Sequence, residues 1–357
     1  MTQVLAVRLD NDGDVLLAGP AIRALAAGAA RVTLLCGPRG RAAAHLLPGV
    51  DAVLCWRAPW IDPEPHPVSR PDVEALIAQV ASLRPDRAVV FGSFHQSPLP
   101  TALLLRLAGV PWIAATSVDY PGSLLDLRHR IPDDVHEVER ALDLAAAAGF
   151  PLPAGDDGRL AVDGAGAAAG GRYVVVHPGA SVPARAWAPE RNAALVAALA
   201  DAGRGVVVTG APSERELTAR VAGPTRPEIT DLGGATDLRG LAGVLAGADA
   251  VVVGNTGPAH LAAAVGTPVV SLFAPTVPPV RWRPWGVPHE LLFRDVPCAG
   301  CRARACPVEG HPCLAGVTVA DVLAAVERLA RPRGQILPSR TATRIDGTQD
   351  LTPEVVA

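Results

Sequence analysis

Short β-branched runs alternate with helical stretches along most of this sequence, and the series occurs twice. The first series extends from a strand at residues 4–9 to a helix at residues 135–148, and the second covers residues 173–273. Alternation of this kind predicts a parallel sheet with helical crossovers. Two series predict an α/β protein of two Rossmann-like halves, with a ligand cleft at the carboxyl ends of the strands.

The two series are separated by a Gly/Ala-rich segment at residues 163–171, a composition typical of linkers. A length of 357 residues also favours two domains over one. We therefore predict an N-terminal domain over residues 1–162 and a C-terminal domain over residues 172–332. Residues 333–357 are polar and lack a hydrophobic period, which predicts a disordered tail.

All 32 basic side chains are arginines, because the chain contains no lysine. The 35 acidic side chains give a net charge of -3, which disfavours nucleic acid as a partner. A P-loop of the form GxxxxGK[ST] needs a lysine, and GxGxxG follows neither first strand, so P-loop and nicotinamide chemistry are not indicated. Any cation that binds phosphate here must be an arginine, whose planar fork can hold two oxygens.

The first strand follows the N-terminus directly, without a basic and apolar leader. The longest uncharged run, residues 250–280, is interrupted by glycines, prolines and a histidine, which disfavours a membrane span. We expect a cytoplasmic protein with at most peripheral membrane association.

The first strand ends in an acidic turn, Asp10-Asn11-Asp12-Gly13-Asp14, which leads into a helix. Asp14 should therefore lie at the carboxyl end of the strand and face the cleft. A carboxylate at this place could act as a general base toward an acceptor hydroxyl. The alternative is that Asp14 only caps the helix at residues 15–27.

Two loops of the second series have the composition of anion-binding loops. In the first loop, small residues at 179–181 precede Arg185, so that backbone amides and a guanidinium could hold a diphosphate. The alternative is that these residues form an ordinary strand-to-helix loop with an exposed arginine.

The second loop begins at Gly254, where Asn255 or Thr256 is placed to cap the next helix. The free amides and the dipole of that helix favour an anion, and His260 lies in its first turn. The alternative is that His260 is structural, since a lone histidine in an apolar helix is usually part of the packing.

Four of the six cysteines lie within sixteen residues, in the pattern C-x2-C-x4-C-x6-C. They are Cys298, Cys301, Cys306 and Cys313. Four thiols at this spacing could bind a structural zinc ion. Free thiols and a redox-sensitive disulfide are the alternatives.

Taken in order, the segments at residues 9–25, 177–191 and 254–276 and the cysteine cluster resemble glycosyltransferase family 9, the ADP-heptose:lipopolysaccharide heptosyltransferases and their relatives. The resemblance covers roughly residues 3–330. It implies the GT-B architecture, with the acceptor bound mainly by the first half and the nucleotide sugar by the second. It also implies inverting transfer with no cofactor required for catalysis.

Carried over by position, the resemblance makes Asp14 the catalytic base and Arg185 a ligand of the donor diphosphate. Asn255 departs from the family pattern, which more often has an aspartate there. The full set of predicted donor-binding residues is Gly179, Ala180, Ser181, Arg185, Ser213, Glu214, Thr236, Asn255, Thr256, Gly257 and His260.

The sequence thus predicts an inverting glycosyltransferase that moves a sugar, by resemblance a heptose, from an ADP-sugar to a hydroxyl group. The acceptor would be a glycan, as in lipopolysaccharide biosynthesis, a lipid-linked glycan or a metabolite. A non-catalytic nucleotide-sugar binding protein and a GT-B sugar-nucleotide epimerase are the alternatives on the same fold.

Overall fold

The structure, a computed structural model, describes residues 2–165 and 172–330 and contains two sheets of six parallel strands each. The strands of the first sheet are β1 (Gln3–Arg8), β2 (Arg31–Cys36), β3 (Ala52–Cys55), β4 (Arg87–Val90), β5 (Ile113–Thr116) and β6 (Leu127–His129). Those of the second are β7 (Tyr173–His177), β8 (Gly205–Gly210), β9 (Ile229–Gly233), β10 (Ala250–Gly254), β11 (Val269–Leu272) and β12 (His289–Leu292).

Both sheets have the same strand order. The order of the first is β3-β2-β1-β4-β5-β6, and that of the second is β12-β11-β10-β7-β8-β9. When the second sheet is read from its other edge and its strands are counted from β7, its order is also 3-2-1-4-5-6. This is the doubly wound order, whose first and fourth strands lie side by side at the centre and leave a crevice at their carboxyl ends. The predicted α/β fold of two Rossmann-like halves is confirmed.

Helices connect the strands in both halves. Those of the first half are α1 (Asp12–Leu17), α2 (Gly19–Gly28), α3 (Arg41–Ala44), α4 (Arg70–Leu83), α5 (Leu99–Leu107) and α6 (Glu137–Ala147). Those of the second half are α7 (Pro189–Asp201), α8 (Arg215–Ala222), α9 (Leu238–Ala246), α10 (Gly257–Ala264), α11 (Pro279–Trp282), α12 (Pro312–Ala315) and α13 (Val319–Leu329). In the part of the chain that is described, none of these helices combines the length and apolarity that a membrane crossing requires.

The predicted single helix at residues 15–27 is wrong in detail, because α1 ends at Leu17 and α2 begins at Gly19. Pro20 lacks the N–H that would continue the hydrogen-bond ladder, and its ring disfavours a straight helix. The break produces a short α1 that begins immediately after the β1 turn.

The two halves meet through α1 and α10. A Cβ built on Gly13 would lie 3.1 Å from the Cα of Gly257 and 3.1 Å from Cδ2 of His260, so these helices touch at their first turns. Since α1 follows β1 and α10 follows β10, the carboxyl edges of both sheets face each other here. One hydrophobic cluster continues from β1 across α1 and α10 to β10.

The predicted domain limits stay a prediction. Most of the Gly/Ala-rich segment, residues 166–171, and the predicted tail at 333–357 lie outside the described residues.

Candidate active site

A buried arginine organises the acidic turn after β1. Arg8 is 2% exposed, and its Nε lies 2.9 Å from a carboxylate oxygen of Asp10. Its NH2 group donates to Asp14 Oδ1 at 3.1 Å, to Ser93 Oγ at 2.8 Å and to Glu137 Oε2 at 3.4 Å. One guanidinium therefore holds three carboxylates and a hydroxyl, and two of these partners, Ser93 and Glu137, are distant in the sequence.

Asp14 does not cap the helix. The helix begins at Asp12 with Asn11 in the N-cap position, so that Asp14 lies in the first turn. Its side chain is 21% exposed and points one oxygen at Arg8. The alternative that Asp14 only caps the helix is therefore wrong. Asp14 is instead a partly exposed carboxylate whose orientation is fixed by Arg8.

Burial affects two of the carboxylates around Arg8 in the same direction. Burial raises the pKa of Asp10 to about 6, although the charge of Arg8 opposes the shift. Burial also raises the pKa of Glu137, again against the charge of Arg8. Burial acts to lower the pKa of Arg8 itself, but the negative charges of Asp10, Asp14 and Glu137 outweigh it and raise that pKa. Arg8 remains a cation, as the cluster requires.

The first turn of α10 lies directly against the Asp14 turn. Thr256 occupies the N-cap position, as predicted, but its side chain makes no capping hydrogen bond. His260 is 4% exposed, and its Nδ1 has no hydrogen-bond partner among the described residues. Burial lowers the pKa of His260 to about 4; the charge of Asp14 opposes this shift, and the charge of Arg185 adds to it. His260 is therefore a neutral imidazole at pH 7.

Arg185 belongs to the same group of side chains. It ends a 3-10 turn, Pro183–Arg185, and its Nε is buried without a hydrogen-bond partner in the described part of the chain. Burial lowers the pKa of Arg185, while the charge of Asp14 acts in the opposite direction. The structure thus brings Asp14, Arg185, Gly257 and His260 together, as the sequence predicts for a site between the halves.

The loop after β7 lies close to Glu214, another of the predicted donor-binding residues. A Cβ at Gly179 would overlap the carboxylate of Glu214, which accepts from the N–H of Ala211 at 2.8 Å. His177 Nδ1 and Thr209 Oγ1 lie 3.0 Å apart beneath this loop. A side chain at position 179 would displace the flexible end of the Glu214 side chain.

The other predicted donor residues are less tightly connected. Ser181 and Ser213 are exposed, and Ala180 and Thr236 are half-buried, whereas Asn255 is 4% exposed with an unpartnered Nδ2 within the described residues. Thr236 lies just before α9, whose N-cap is Asp237. Within the described residues, neither Ser213 nor Thr236 forms a side-chain hydrogen bond with Arg185 or α10.

Sequence reasoning missed a second group of cations in the cleft. Arg281, 6% exposed, places its guanidinium carbon 3.7 Å from the ring centre of Phe94, and that of Arg302 lies 4.6 Å from the same ring. Phe94 follows β4 in the first half, so these contacts also join the halves. The arginine- and tryptophan-rich run at residues 281–285 was the available signal.

The four clustered cysteines line one small cavity together with His311. They are free thiols, as are Cys36 and Cys55. Within residues 2–165 and 172–330, no group of three His, Cys, Asp or Glu side chains is arranged to hold a metal ion. The geometry gives no support to zinc at these cysteines, which stays a prediction.

Two facing Rossmann-like halves, with a carboxylate on one side and the N-terminus of a helix on the other, define a protein of the GT-B glycosyltransferase fold. The model of glycosyltransferase family 9 (heptosyltransferase) matches residues 96–311. The chain belongs to this family.

Curated relatives match part of the chain. Lipopolysaccharide heptosyltransferase 3 of Escherichia coli is 32% identical over 184 residues, 49% of this chain and 50% of the relative. Lipopolysaccharide heptosyltransferase 1 of Pseudomonas aeruginosa is 35% identical over 175 residues, 48% of each chain. The chain spans about half the length of the curated relatives it matches.

Solved structures match nearly the whole chain. The E. coli ADP-heptose lipopolysaccharide heptosyltransferase II has a TM-score of 0.71 at 22% identity, and the match covers 92% of this chain and 98% of that one. At this identity the comparison establishes the shared fold.

Proposed function

We propose that this chain is an inverting glycosyltransferase that transfers a heptose from ADP-heptose to a hydroxyl group of a glycan. The observation that carries the proposal is the Asp14 carboxylate, oriented by Arg8 at 3.1 Å and placed beside Arg185 and the first turn of α10. A base and an anion-binding helix end are the two parts that such a transfer requires.

Asp14 takes the proton from the acceptor hydroxyl while the hydroxyl oxygen attacks the anomeric carbon of the sugar. The new glycosidic bond forms as the bond from that carbon to the phosphate oxygen breaks, and ADP leaves with the electron pair. Arg8 keeps Asp14 in one orientation, and partial exposure leaves the carboxylate accessible to the acceptor. In-line attack inverts the configuration.

The second half stabilises the departing diphosphate. The free amides at the start of α10 and the Arg185 guanidinium face the place where negative charge develops. His260, neutral and with an unpartnered Nδ1 in the described residues, can contribute a hydrogen bond without adding charge. These groups supply charge stabilisation without a metal, so that we expect transfer to persist in EDTA.

The donor and the acceptor are inferred partly from related proteins. The name of the structurally similar E. coli enzyme includes ADP-heptose, and the curated relatives are lipopolysaccharide heptosyltransferases. We propose ADP-heptose as donor and a lipopolysaccharide-type glycan as acceptor, bound mainly by the first half. Six free cysteines fit a reducing compartment, so we propose that transfer takes place in the cytoplasm, with at most peripheral membrane contact.

The test is incubation of the protein with ADP-heptose, with and without a heptose-deficient lipopolysaccharide glycan. The proposal predicts ADP release and a heptosylated glycan of inverted configuration, both dependent on the acceptor. A changed sugar nucleotide formed without acceptor would instead identify an epimerase. Binding of ADP-heptose with no turnover on a panel of glycans would identify a non-catalytic binding protein.

A further inference from the structure

The turn that carries Arg185 is held from outside by the cysteine segment, which we define as residues 298–313. The N–H of Ala184 donates to the carbonyl of Arg304 at 2.9 Å. The carbonyl of Ala184 lies 3.0 Å from Nε2 of His311. Both polar groups of the Ala184 backbone are therefore bound by this one segment.

The inner side of the same turn rests on the end of β10. A Cβ at Gly254 would lie 2.9 Å from the carbonyl oxygen of Arg185, so the backbone of the turn fits closely against this glycine. Ala184 is 2% exposed. The turn is thus fixed between β10 and the cysteine segment, and the backbone position of Arg185 depends on both.

His311 donates a side-chain hydrogen bond to this turn although its own backbone is strained. Its φ is 48°, in the left-handed region, where a residue other than glycine or asparagine is strained by about 1 kcal/mol. A carbonyl oxygen can only accept, so the imidazole must carry its proton on Nε2 and donate to Ala184. Glycine would relieve the backbone but would lose this donor.

We propose that His311 is a positioning residue for Arg185, acting through the carbonyl of Ala184 to hold the guanidinium toward the donor diphosphate. The inference rests on the proposed function, in which Arg185 binds that diphosphate. His311 itself touches neither donor nor acceptor. Its loss removes one hydrogen bond from the support of Arg185, which predicts roughly threefold to tenfold weaker binding of ADP.

The variants are chosen to preserve the fold. In His311→Asn, the asparagine tolerates the left-handed backbone, but its side-chain amide is too short to reach the carbonyl of Ala184. In His311→Gln, the longer side-chain amide can donate from nearly the position of Nε2. Arg304→Ala is the matched control, because Arg304 contacts Ala184 only through its backbone carbonyl. Thermal unfolding of each full-length variant verifies the fold.

The experiment is calorimetric titration of ADP into the wild type, His311→Asn, His311→Gln, Arg304→Ala, Arg185→Ala and the double variant Arg185→Ala/His311→Asn. We expect weaker binding for His311→Asn, near wild-type binding for His311→Gln and Arg304→Ala, and no further loss when His311→Asn is added to Arg185→Ala. A purely structural role would not produce this non-additive pattern.

Two results would overturn the inference alone: wild-type affinity in His311→Asn, or fully additive losses in the double variant. A wild-type protein that binds neither ADP nor ADP-heptose would instead overturn the proposed function, and the inference with it.

Discussion

Gly13 and Gly257 face each other across the cleft so closely that a Cβ on Gly13 would lie 3.1 Å from the Cα of Gly257. The contact sets the distance between the turn that carries Asp14 and the start of α10, which we propose binds the donor phosphate. Base and leaving group must be aligned to within about an ångström for efficient attack. The pair of glycines therefore fixes the geometry on which the proposed reaction depends.

The first prediction concerns Gly13→Ala. The added methyl group would contact the backbone of Gly257 and the ring of His260 at 3.1 Å, and the backbone cannot move aside as a flexible side chain would. We expect the halves to separate slightly and the transfer rate to fall by about a hundredfold. Gly92→Ala is the control, because its nearest neighbour would lie 4.0 Å away; an equal loss of rate in both variants would contradict the prediction.

Arg8→Met tests the buried cluster. The substitution keeps much of the side-chain volume but leaves Asp10, Asp14 and Glu137 without their shared cation. Breaking a buried ion pair by removing one partner costs about 3–5 kcal/mol. We expect a decrease of that size in the free energy of unfolding, measured by urea denaturation.

The matched control for Arg8 is the exposed pair of Arg70 and Glu74, whose side chains are 88% and 58% exposed. Arg70→Met should change the free energy of unfolding by less than about 1 kcal/mol, because exposed ion pairs contribute little. If Arg8→Met were as mild as Arg70→Met, Arg8 would not organise the turn.

The third prediction concerns the pH dependence of stability. Histidine in the unfolded chain is protonated below about pH 6.5, whereas the pKa of native His260 is lowered by burial to about 4. Between these values the unfolded state binds more protons, so the His260 contribution makes the free energy of unfolding fall as the pH decreases from about 6.5 to 4. Below about pH 4 this contribution levels off.

His260→Gln isolates that contribution, since Asp10 acts in the opposite direction. Burial raises the pKa of Asp10 to about 6, so the native state takes up its proton first and gains stability as the pH falls from about 6 to 4. We expect His260→Gln to show a smaller loss of stability than the wild type between pH 6.5 and 4. Identical pH profiles would show that His260 titrates normally.

The cysteine segment gives a fourth prediction. The sequence predicts a structural zinc ion at Cys298, Cys301, Cys306 and Cys313, and these four thiols line one cavity. Elemental analysis of the wild type and of Cys298→Ser, both purified under reducing conditions, tests this prediction. One zinc ion per wild-type chain, lost in Cys298→Ser, would establish the zinc site, whereas no zinc in either protein would overturn it and identify the cysteines as free thiols.

Sequence periodicity predicted the central strands of both sheets, because buried parallel strands are continuous apolar runs bounded by turn residues. It missed β6 and β12, because neither strand contains the β-branched residues that mark the other strands, and each includes polar residues. It also joined α1 and α2, since the apolar pattern continues across the break before Pro20.

The positions of the candidate site residues were predictable where they depend on the local sequence. Asp14 and the loop at Gly254 lie at strand ends, and strand ends of parallel sheets converge on one edge. The contact of Arg8 with Glu137 joins residues 129 positions apart, and nothing in either local sequence indicates it. The stacking of Arg281 on Phe94 depends in the same way on how the two halves meet.

The most direct test of the central claim is the transfer rate of Asp14→Asn with ADP-heptose and a glycan acceptor, measured alongside ADP binding. Asparagine keeps the size of the side chain but cannot accept the acceptor proton as a carboxylate does. The account predicts a loss of transfer of about 10²–10⁴-fold with ADP binding nearly unchanged. Transfer near the wild-type rate by Asp14→Asn would show that Asp14 is not the base.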